Sequence, residues 1–431
     1  MNHIYRKRIA KLEKKLKESN GALILSSAPL PLRNRDSIYP YRQNSDFYYL
    51  CGSSERDLSL LVSSKEKAPL LFAPKTDPKR IVWEGETEDI KKIAKNIGAN
   101  LLVTDDPREE ITTRLRGVDK LYFQNLKGSL SFRIAKDLMK IPVFQKGALP
   151  SCFENIENLM LPLRIYKDKD EINLIKKASS ITSAALDEAL PYIAPDVPER
   201  FIQATIDYWF RVFGGENAFP TIVGSGPNAA FLHYDKCNRT AKKGELMLID
   251  CGAEYQCYAS DLTRVFPVSG YFEGIQADVY GIVLEAQKEA IKRVKHGVKV
   301  QAIYDAAAKV LCDGLLSIGI LKGKASKCFQ DKAFLEYFPH SISHTLGLDV
   351  HDVGNLRGNN EAVLEEGMVI SVEPGLYFRK RTGKVPPCGV RIEDIVHVTK
   401  KGCEVLSSYP KEFDQVMETM SLSQENFDAV P

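Results

Sequence analysis

The sequence predicts an α+β protein in which a smaller α/β domain precedes a larger α+β domain. Three observations lead there. Up to about residue 145, short apolar strands alternate with charged helical stretches, the pattern of an α/β layer. Near 163–172 the chain passes from a short extended piece into a long helical pattern. Beyond it, strand pairs are separated by helix pairs, which favours α+β over a doubly wound sheet.

In chain order, residues 1–20 form a surface helix, with Ile9, Leu12 and Leu16 at helical spacing among Lys, Arg and Glu. ALILSS (22–27), LSLLVSS (58–64) and APLLFAP (68–74) are strands. Between the first two lies YPYRQNSDFYYLCG (39–52), aromatic, polar and rich in turn residues. The boundary helix has Asp168 or Asp170 as its N-cap and Ile172, Ile175, Ala178, Ile181, Ala184 and Leu186 along one face. Further helices are expected near 171–191, 198–214, 273–295 and 300–318, interleaved with strands. TIVGSG (221–226), ELMLID (245–250), LTRVFPV (262–268), GMVISVEP (367–374) and VRIEDIVHV (390–398) are strands by β-branched density. The expected domains are 1–163 and 164–410, with a polar C-terminal tail at 411–431.

Composition narrows the function classes. The 431 residues are 44% apolar and 27% charged, ordinary globular usage. With 59 basic and 56 acidic residues the net charge is +3, so bulk electrostatics gives no case for nucleic acid or anionic lipid. No apolar run reaches the roughly 18 residues of a membrane span. Nine scattered cysteines without a CxxC pair argue against a disulfide framework or a thiolate zinc site, and for reduced thiols in a cytoplasmic protein. The basic N-terminus is a weaker match to a mitochondrial transit peptide, because Glu13 and Glu18 interrupt it.

Chemistry concentrates in the second half. Of seven histidines, three fall within twelve residues, His340, His344 and His351 in FPHSISHTLGLDVHD, and His233 lies in a similar turn-rich segment. β-Branched residues and Gly347 make the triple cluster a strand or loop rather than an HExxH-type helix. Acids sit at strand ends: Asp250 in LMLIDCG, Asp261 in YASDLTRVF, Glu373 in MVISVEPG. Glu393 falls inside an apolar strand, two residues after Arg391 and on the same face. A buried carboxylate there must be paired or bound to metal. Four carboxylates and at least one histidine form an oxygen-rich set that suits two divalent cations about 3.5–4 Å apart. Such sets favour Mn, and Zn, Co or Fe can also occupy them.

These residues resemble the pita-bread metallopeptidases of family M24, and among them the Xaa-Pro aminopeptidases (aminopeptidase P). The matching segments are TIVGSGPNAAFLHY (221–234), LMLIDCGAEYQCYASDLTRVFPV (246–268), SHTLGLDVHDVG (343–354), GMVISVEPGLY (367–377) and GVRIED (389–394), in family order. YPYRQNSDFYYLCG is similar to a signature of the family's N-terminal domain. The resemblance implies a pita-bread catalytic domain with Asp250, Asp261, His344, Glu373 and Glu393 as metal ligands, Asp261 and Glu393 bridging two ions. It assigns substrate-side roles to His233, His340 and His351 and places Arg391 beside the last ligand, with Thr263 as a possible supporting residue. Asp36 and Trp83 match a contribution made to a neighbouring subunit's active site, which implies a homo-oligomer, dimer or tetramer. After HDVG the chain departs from the family: Asn355, Leu356 and Arg357 stand where a Tyr is common, and Asn360 where an Arg often lies.

The implied activity is hydrolysis of the bond between an N-terminal residue and a following proline in peptides, by attack of a hydroxide bridging the metals. His351 or His233 would stabilise the oxyanion, and Glu373 or a histidine would protonate the leaving nitrogen. The nearest alternative is a prolidase, which cuts Xaa-Pro dipeptides. The alternative of another class is a non-catalytic pita-bread binding protein, which the complete ligand set disfavours.

Overall fold

A computed structural model describes residues 2–142, 147–356 and 361–428; Arg357 and Asn360 lie outside them. The chain divides into two compact units, Met1–Arg164 and Ile165–Pro431.

The first unit is built on a six-stranded mixed sheet. Its strands are β1 (Gly21–Ser26), β4 (Ser59–Ser63), β5 (Leu70–Ala73), β6 (Asn100–Val103), β7 (Lys120–Phe123) and β8 (Cys152–Asn155), in the order β6-β5-β4-β1-β7-β8. A small ribbon, β2 (Leu32–Asn34) with β3 (Ser37–Ile38), stands apart from it. β4 alone runs against its neighbours. The helix Asn2–Glu18 buries Ile9, Leu12 and Leu16, the stripe its spacing predicts, and packs on β1 and β4. The aromatic segment expected to be turn-rich instead contains a helix, Ser45–Cys51. Asn44 caps it by accepting a hydrogen bond from the Phe47 amide at 3.0 Å, Gly52 closes it in a left-handed conformation, and burial of Phe47, Tyr49 and Leu50 repays its short length.

In the second unit the four expected helices lie at Lys169–Ala189, Glu199–Val212, Gly274–Arg293 and Val300–Ser317. Asp168 caps the first in a reciprocal arrangement with Glu171. The strands are β9 (Glu216–Asn217), β10 (Ile222–Ser225), β11 (Leu246–Cys251), β12 (Ala253–Tyr255), β13 (Tyr258–Ala259), β14 (Leu262–Pro267), β15 (Val369–Val372), β16 (Gly375–Phe378), β17 (Cys388–Arg391), β18 (Asp394–Val398) and β19 (Cys403–Val405). They form small sheets: β10-β11-β14, β13-β12-β9, β15-β18-β19 and β16-β17. The helices Gly274–Arg293 and Val300–Ser317 pack on one another and share a core with Ile370, Val390, Ile392 and Val396. The polar tail also gains structure, a helix at Phe413–Asp428 whose Val416 and Met420 are buried in the core formed by the other helix pair.

One expectation needs correcting. Residues 390–398 are not one strand: β17 ends at Arg391 and β18 starts at Asp394, so Glu393 stands in a break rather than inside a ladder. The opposing chain breaks at the same level, at Glu373–Pro374 between β15 and β16. Pro374 has no N–H to give to a ladder, and its carbonyl accepts from the Ile392 amide at 3.3 Å. These facing breaks free Glu373 and Glu393 from strict alternation.

β17 lies directly against the single turn Gly226–Ala230: a Cβ built on Gly389 would sit 1.8 Å from the Ala229 carbonyl oxygen. Gly389→Ala is therefore expected to destabilise the protein by about 1–3 kcal/mol or more, read as a loss of Tm. An unchanged Tm would mean that this backbone contact is looser than described.

Candidate metal centre and active site

Strand pairing sets the site. Asp250, on β11, lies opposite Thr263 of β14, and Asp261 stands one residue before β14. The Glu393 amide donates to the Thr263 carbonyl at 3.2 Å, which joins the β17–β18 break to β14. His344 lies in an irregular segment next to the isolated Thr345–Ile370 bridge; the Ser371 amide donates to its carbonyl at 2.9 Å. The helix-free reading of the histidine cluster thus holds.

Nine of the residues expected from this half of the chain line one cavity of about 660 Å³, His233, Asp250, Asp261, His340, His344, His351, Glu373, Arg391 and Glu393, and Thr263 stands behind it. Asp261, His344 and Glu393 are buried, with ligand atoms within 4.8 Å of one another. His344 Nε2 lies 3.4 Å from Asp261, 3.6 Å from Glu373 and 3.8 Å from Glu393. Its Nδ1 faces the Thr345 carbonyl at 3.1 Å and so carries a proton, which leaves Nε2, on the side of the acids, as the nitrogen that would ligate a bound ion. Asp250 is held through Oδ2 by the buried Arg391 guanidinium at 2.5 Å. The two predicted residues of the other unit, Asp36 and Trp83, are both exposed there.

The donor set fits divalent metal. Asp250 Oδ1 and Glu393 Oε1 are buried and have no hydrogen-bond partner, an expensive arrangement for carboxylate oxygens unless a cation completes it. The electrostatics agree. Burial, reinforced by Glu393, pushes Asp261 well above the usual carboxylate range. Burial also raises Asp250, against the opposing pull of Arg391. Glu373 is pushed up to about 7 by burial and by Glu393. Burial would lower His344, but Asp261 and Glu393 beside it raise it well above its ordinary value. Glu393 moves the other way: burial alone would raise it, and His344, Arg391 and Thr263 outweigh that. The cluster holds more buried negative charge than Arg391 and His344 balance, and bound cations would supply the remainder.

This has a pH consequence. A group whose pKa is raised on folding lends stability that is complete below its unfolded value and is lost as pH rises through its folded value. For Glu373 that window runs from its ordinary 4.5 to about 7. Asp250, Asp261 and His344 act in the same direction, and Glu393 opposes them. The gain in Tm on adding divalent metal to stripped protein is expected to widen across that window, as the metal replaces protons. A gain that stays flat or shrinks from pH 4.5 to 7 would contradict the charge balance described.

Three supporting residues escaped the sequence reading. Tyr377 lies between Arg391 Nη1, at 3.0 Å, and His340 Nε2, at 2.9 Å. His340 Nδ1 faces the Ser341 carbonyl at 2.8 Å and so carries a proton, and the Tyr377 oxygen, which accepts from Arg391, joins the ring at Nε2. Ser371 accepts from the His344 amide at 3.0 Å and donates to Glu373 at 3.3 Å. The buried carboxylate of Glu199 organises the segment that carries His233. Tyr377 ends one of the matching motifs, which was the available signal. Ser371 lies in the same motif, two residues before Glu373, whereas nothing local marks Glu199. Thr263 does support the cluster: it donates to Glu393 at 2.8 Å and accepts from Arg391 Nε at 3.0 Å.

Comparison with known proteins agrees with this architecture. Residues 173–400 match the profile described as metallopeptidase family M24, and residues 5–122 match the aminopeptidase P N-terminal domain. The Xaa-Pro aminopeptidase of Escherichia coli (strain K12) is 31% identical over 431 residues, covering 96% of this chain and 97% of its own. The mitochondrial intermediate cleaving peptidase 55 of Arabidopsis thaliana is 31% identical over 402 residues, 92% of this chain and 78% of its own. Among solved structures, the low-pH form of E. coli aminopeptidase P superposes with a TM-score of 0.92 at 30% identity, over 99% of both chains. The chain belongs to metallopeptidase family M24, and it is a metallo-exopeptidase of the Xaa-Pro aminopeptidase group with that group's pita-bread catalytic fold and N-terminal domain.

Proposed function

We propose that this enzyme removes the N-terminal residue from peptides with proline at the second position, using two divalent ions held by Asp250, Asp261, His344, Glu373 and Glu393. One observation carries the reading: four acids and a histidine nitrogen converge in a single cavity, with two buried carboxylate oxygens lacking any hydrogen-bond partner. When bound, such a metal pair supplies Lewis acidity and lowers the pKa of water between the ions. In this reading Asp261 and Glu393 would serve both ions, Asp250 one of them, and His344 with Glu373 the other. His233 and His351 line the cavity and would donate hydrogen bonds to the scissile carbonyl oxygen as it gains charge. Glu373 or one of the cavity histidines would deliver the proton to the leaving proline nitrogen. Arg391 and Tyr377 orient Asp250 and His340.

Manganese is our choice of metal, on the oxygen-rich donor set; Zn, Co and Fe are the competitors. We place the enzyme in the cytoplasm, because its nine cysteines are all free thiols, the state a reducing compartment maintains. We further propose a homo-oligomer, dimer or tetramer. The helix Pro78–Glu84 buries none of its side chains, and its Trp83 is 86% exposed, ready to be covered by another subunit. In this reading residues 1–163 form the N-terminal domain and 164–410 the catalytic domain, with 411–431 an appendage on it.

The deciding experiment strips the protein of metal, reloads it with Mn and compares an Xaa-Pro-Xaa tripeptide with an Xaa-Pro dipeptide. Metal-dependent release of the first residue from the tripeptide is expected. Cleavage of the dipeptide alone would make the enzyme a prolidase, and failure to bind metal would overturn the proposal.

A further inference from the structure

His233 stands in the long connection between β10 and β11, which contains the single turn Gly226–Ala230 and, near its end, a bridge from Thr240 to Pro198. Both ends of this connection meet at one atom group, the fully buried carboxylate of Glu199 in the first turn of the helix Glu199–Val212. Oε1 accepts from the Ser225 amide at 2.6 Å and the Ser225 hydroxyl at 2.8 Å, where the connection begins. Oε2 accepts from the Tyr234 hydroxyl at 2.8 Å, one residue beyond His233, and from the Arg239 amide at 3.1 Å, where the connection returns. The Asn228 side-chain amide reaches both oxygens at 3.2 Å. The Glu199 amide donates to the Arg239 carbonyl at 2.9 Å, so the grip runs in both directions.

Five donors converge on this carboxylate, a demand that only an acceptor-only group meets fully. A glutamine of the same shape would turn an N–H₂ toward some of those donors and leave buried polar groups unpaired. The tyrosine hydroxyl is the direct link to the histidine's neighbour; its oxygen also accepts from Asn228 at 2.7 Å and from the Asn238 amide at 3.0 Å. His233 itself is exposed at the cavity wall.

We infer that Glu199 is the positioning residue for His233, holding the imidazole where it meets the substrate. The inference rests on the reading that His233 acts on the scissile carbonyl. Misplacing a reacting group by about 1 Å costs up to 10²-fold in rate, so a carboxylate that fixes the loop is worth a measurable part of that.

The experiment is a double-mutant cycle on the metal-loaded, full-length enzyme. Glu199→Gln is expected to lower kcat/KM for an Xaa-Pro-Xaa tripeptide roughly tenfold, mainly through kcat, with metal content unchanged. In a His233→Ala background the same substitution is expected to cost less than about twofold, because a residue acting only through His233 has nothing left to position. Tyr234→Phe removes one hydroxyl, keeps the ring, and is expected to repeat the pattern on a smaller scale; it carries the test if Glu199→Gln does not fold. A cost that is equal in both backgrounds, or a kcat unchanged in both variants, would overturn the assignment. If His233→Ala alone leaves kcat/KM unaltered, the role given to His233 falls first, and the positioning role falls with it.

Discussion

Asp261→Ala is expected to abolish binding of the metal pair and to lower kcat/KM far beyond the ~100-fold that losing a supporting residue costs at a metal site. The fold should survive. Metal-free Asp261 sits well above the ordinary carboxylate range because burial and Glu393 oppose its charge, so at neutral pH it lowers the stability of the empty protein. Deleting it relieves that opposition, and the stripped variant should be at least as stable as stripped wild type. Metal content by elemental analysis, Tm without metal and kcat/KM on the tripeptide check the three parts separately. A variant that kept two metals and full activity would show the ligand assignment to be wrong. One that lost metal and also unfolded would show Asp261 to be structural.

Arg264→Met is expected to cost about 3 kcal/mol, the low end of the 3–5 kcal/mol for breaking a buried ion pair. Arg264 is 1% exposed, and its guanidinium makes five bonds. Nη2 donates to the buried Asp394 at 2.7 Å and to the Tyr409 carbonyl at 2.9 Å. Nη1 donates to the carbonyls of Thr263 at 2.9 Å and Glu393 at 2.6 Å, and Nε to that of Pro410 at 3.0 Å. It thus ties β14 to the β17–β18 break and to the chain leading into the last helix. Lys411 and Gln287 still reach Asp394 after the substitution, which keeps the cost from rising higher. Denaturant unfolding of stripped protein measures it. Metal affinity should fall as well, because the backbone behind Thr263 and Glu393 loses its anchor. A loss below about 1 kcal/mol would mean that solvent or Lys411 replaces the guanidinium.

Much of the site was legible in sequence, for a definite reason. A strand aims its side chains by alternation, so an acid at the end of an apolar run, as in LMLIDC or MVISVE, already has a direction and a depth. The long helices were equally plain: 3.6-residue periodicity and an N-cap such as Asp168 act over a few neighbours in sequence. The helix at Ser45–Cys51 was not, because seven residues carry little periodicity and its stability comes from where Phe47 and Leu50 are buried. The continuous strand expected at 390–398 failed for a related reason. β-Branched density reports strand propensity, whereas the break at Glu393 is imposed by two different partners, β16 on one side and β15 with β19 on the other.

The sequence by itself picked out the residues that the fold gathers in one cavity: the acids, the histidines and Arg391 are ligand-type or charged side chains in ordered motifs, and their identity is local information. Tertiary structure alone decided how they are held. Glu199 is 34 residues before His233, Ser371 is 27 after His344, and Arg264 is 130 before Asp394. No local pattern announces such partners, because a buried polar group is satisfied by whatever donor or acceptor the fold brings to it, at any separation along the chain.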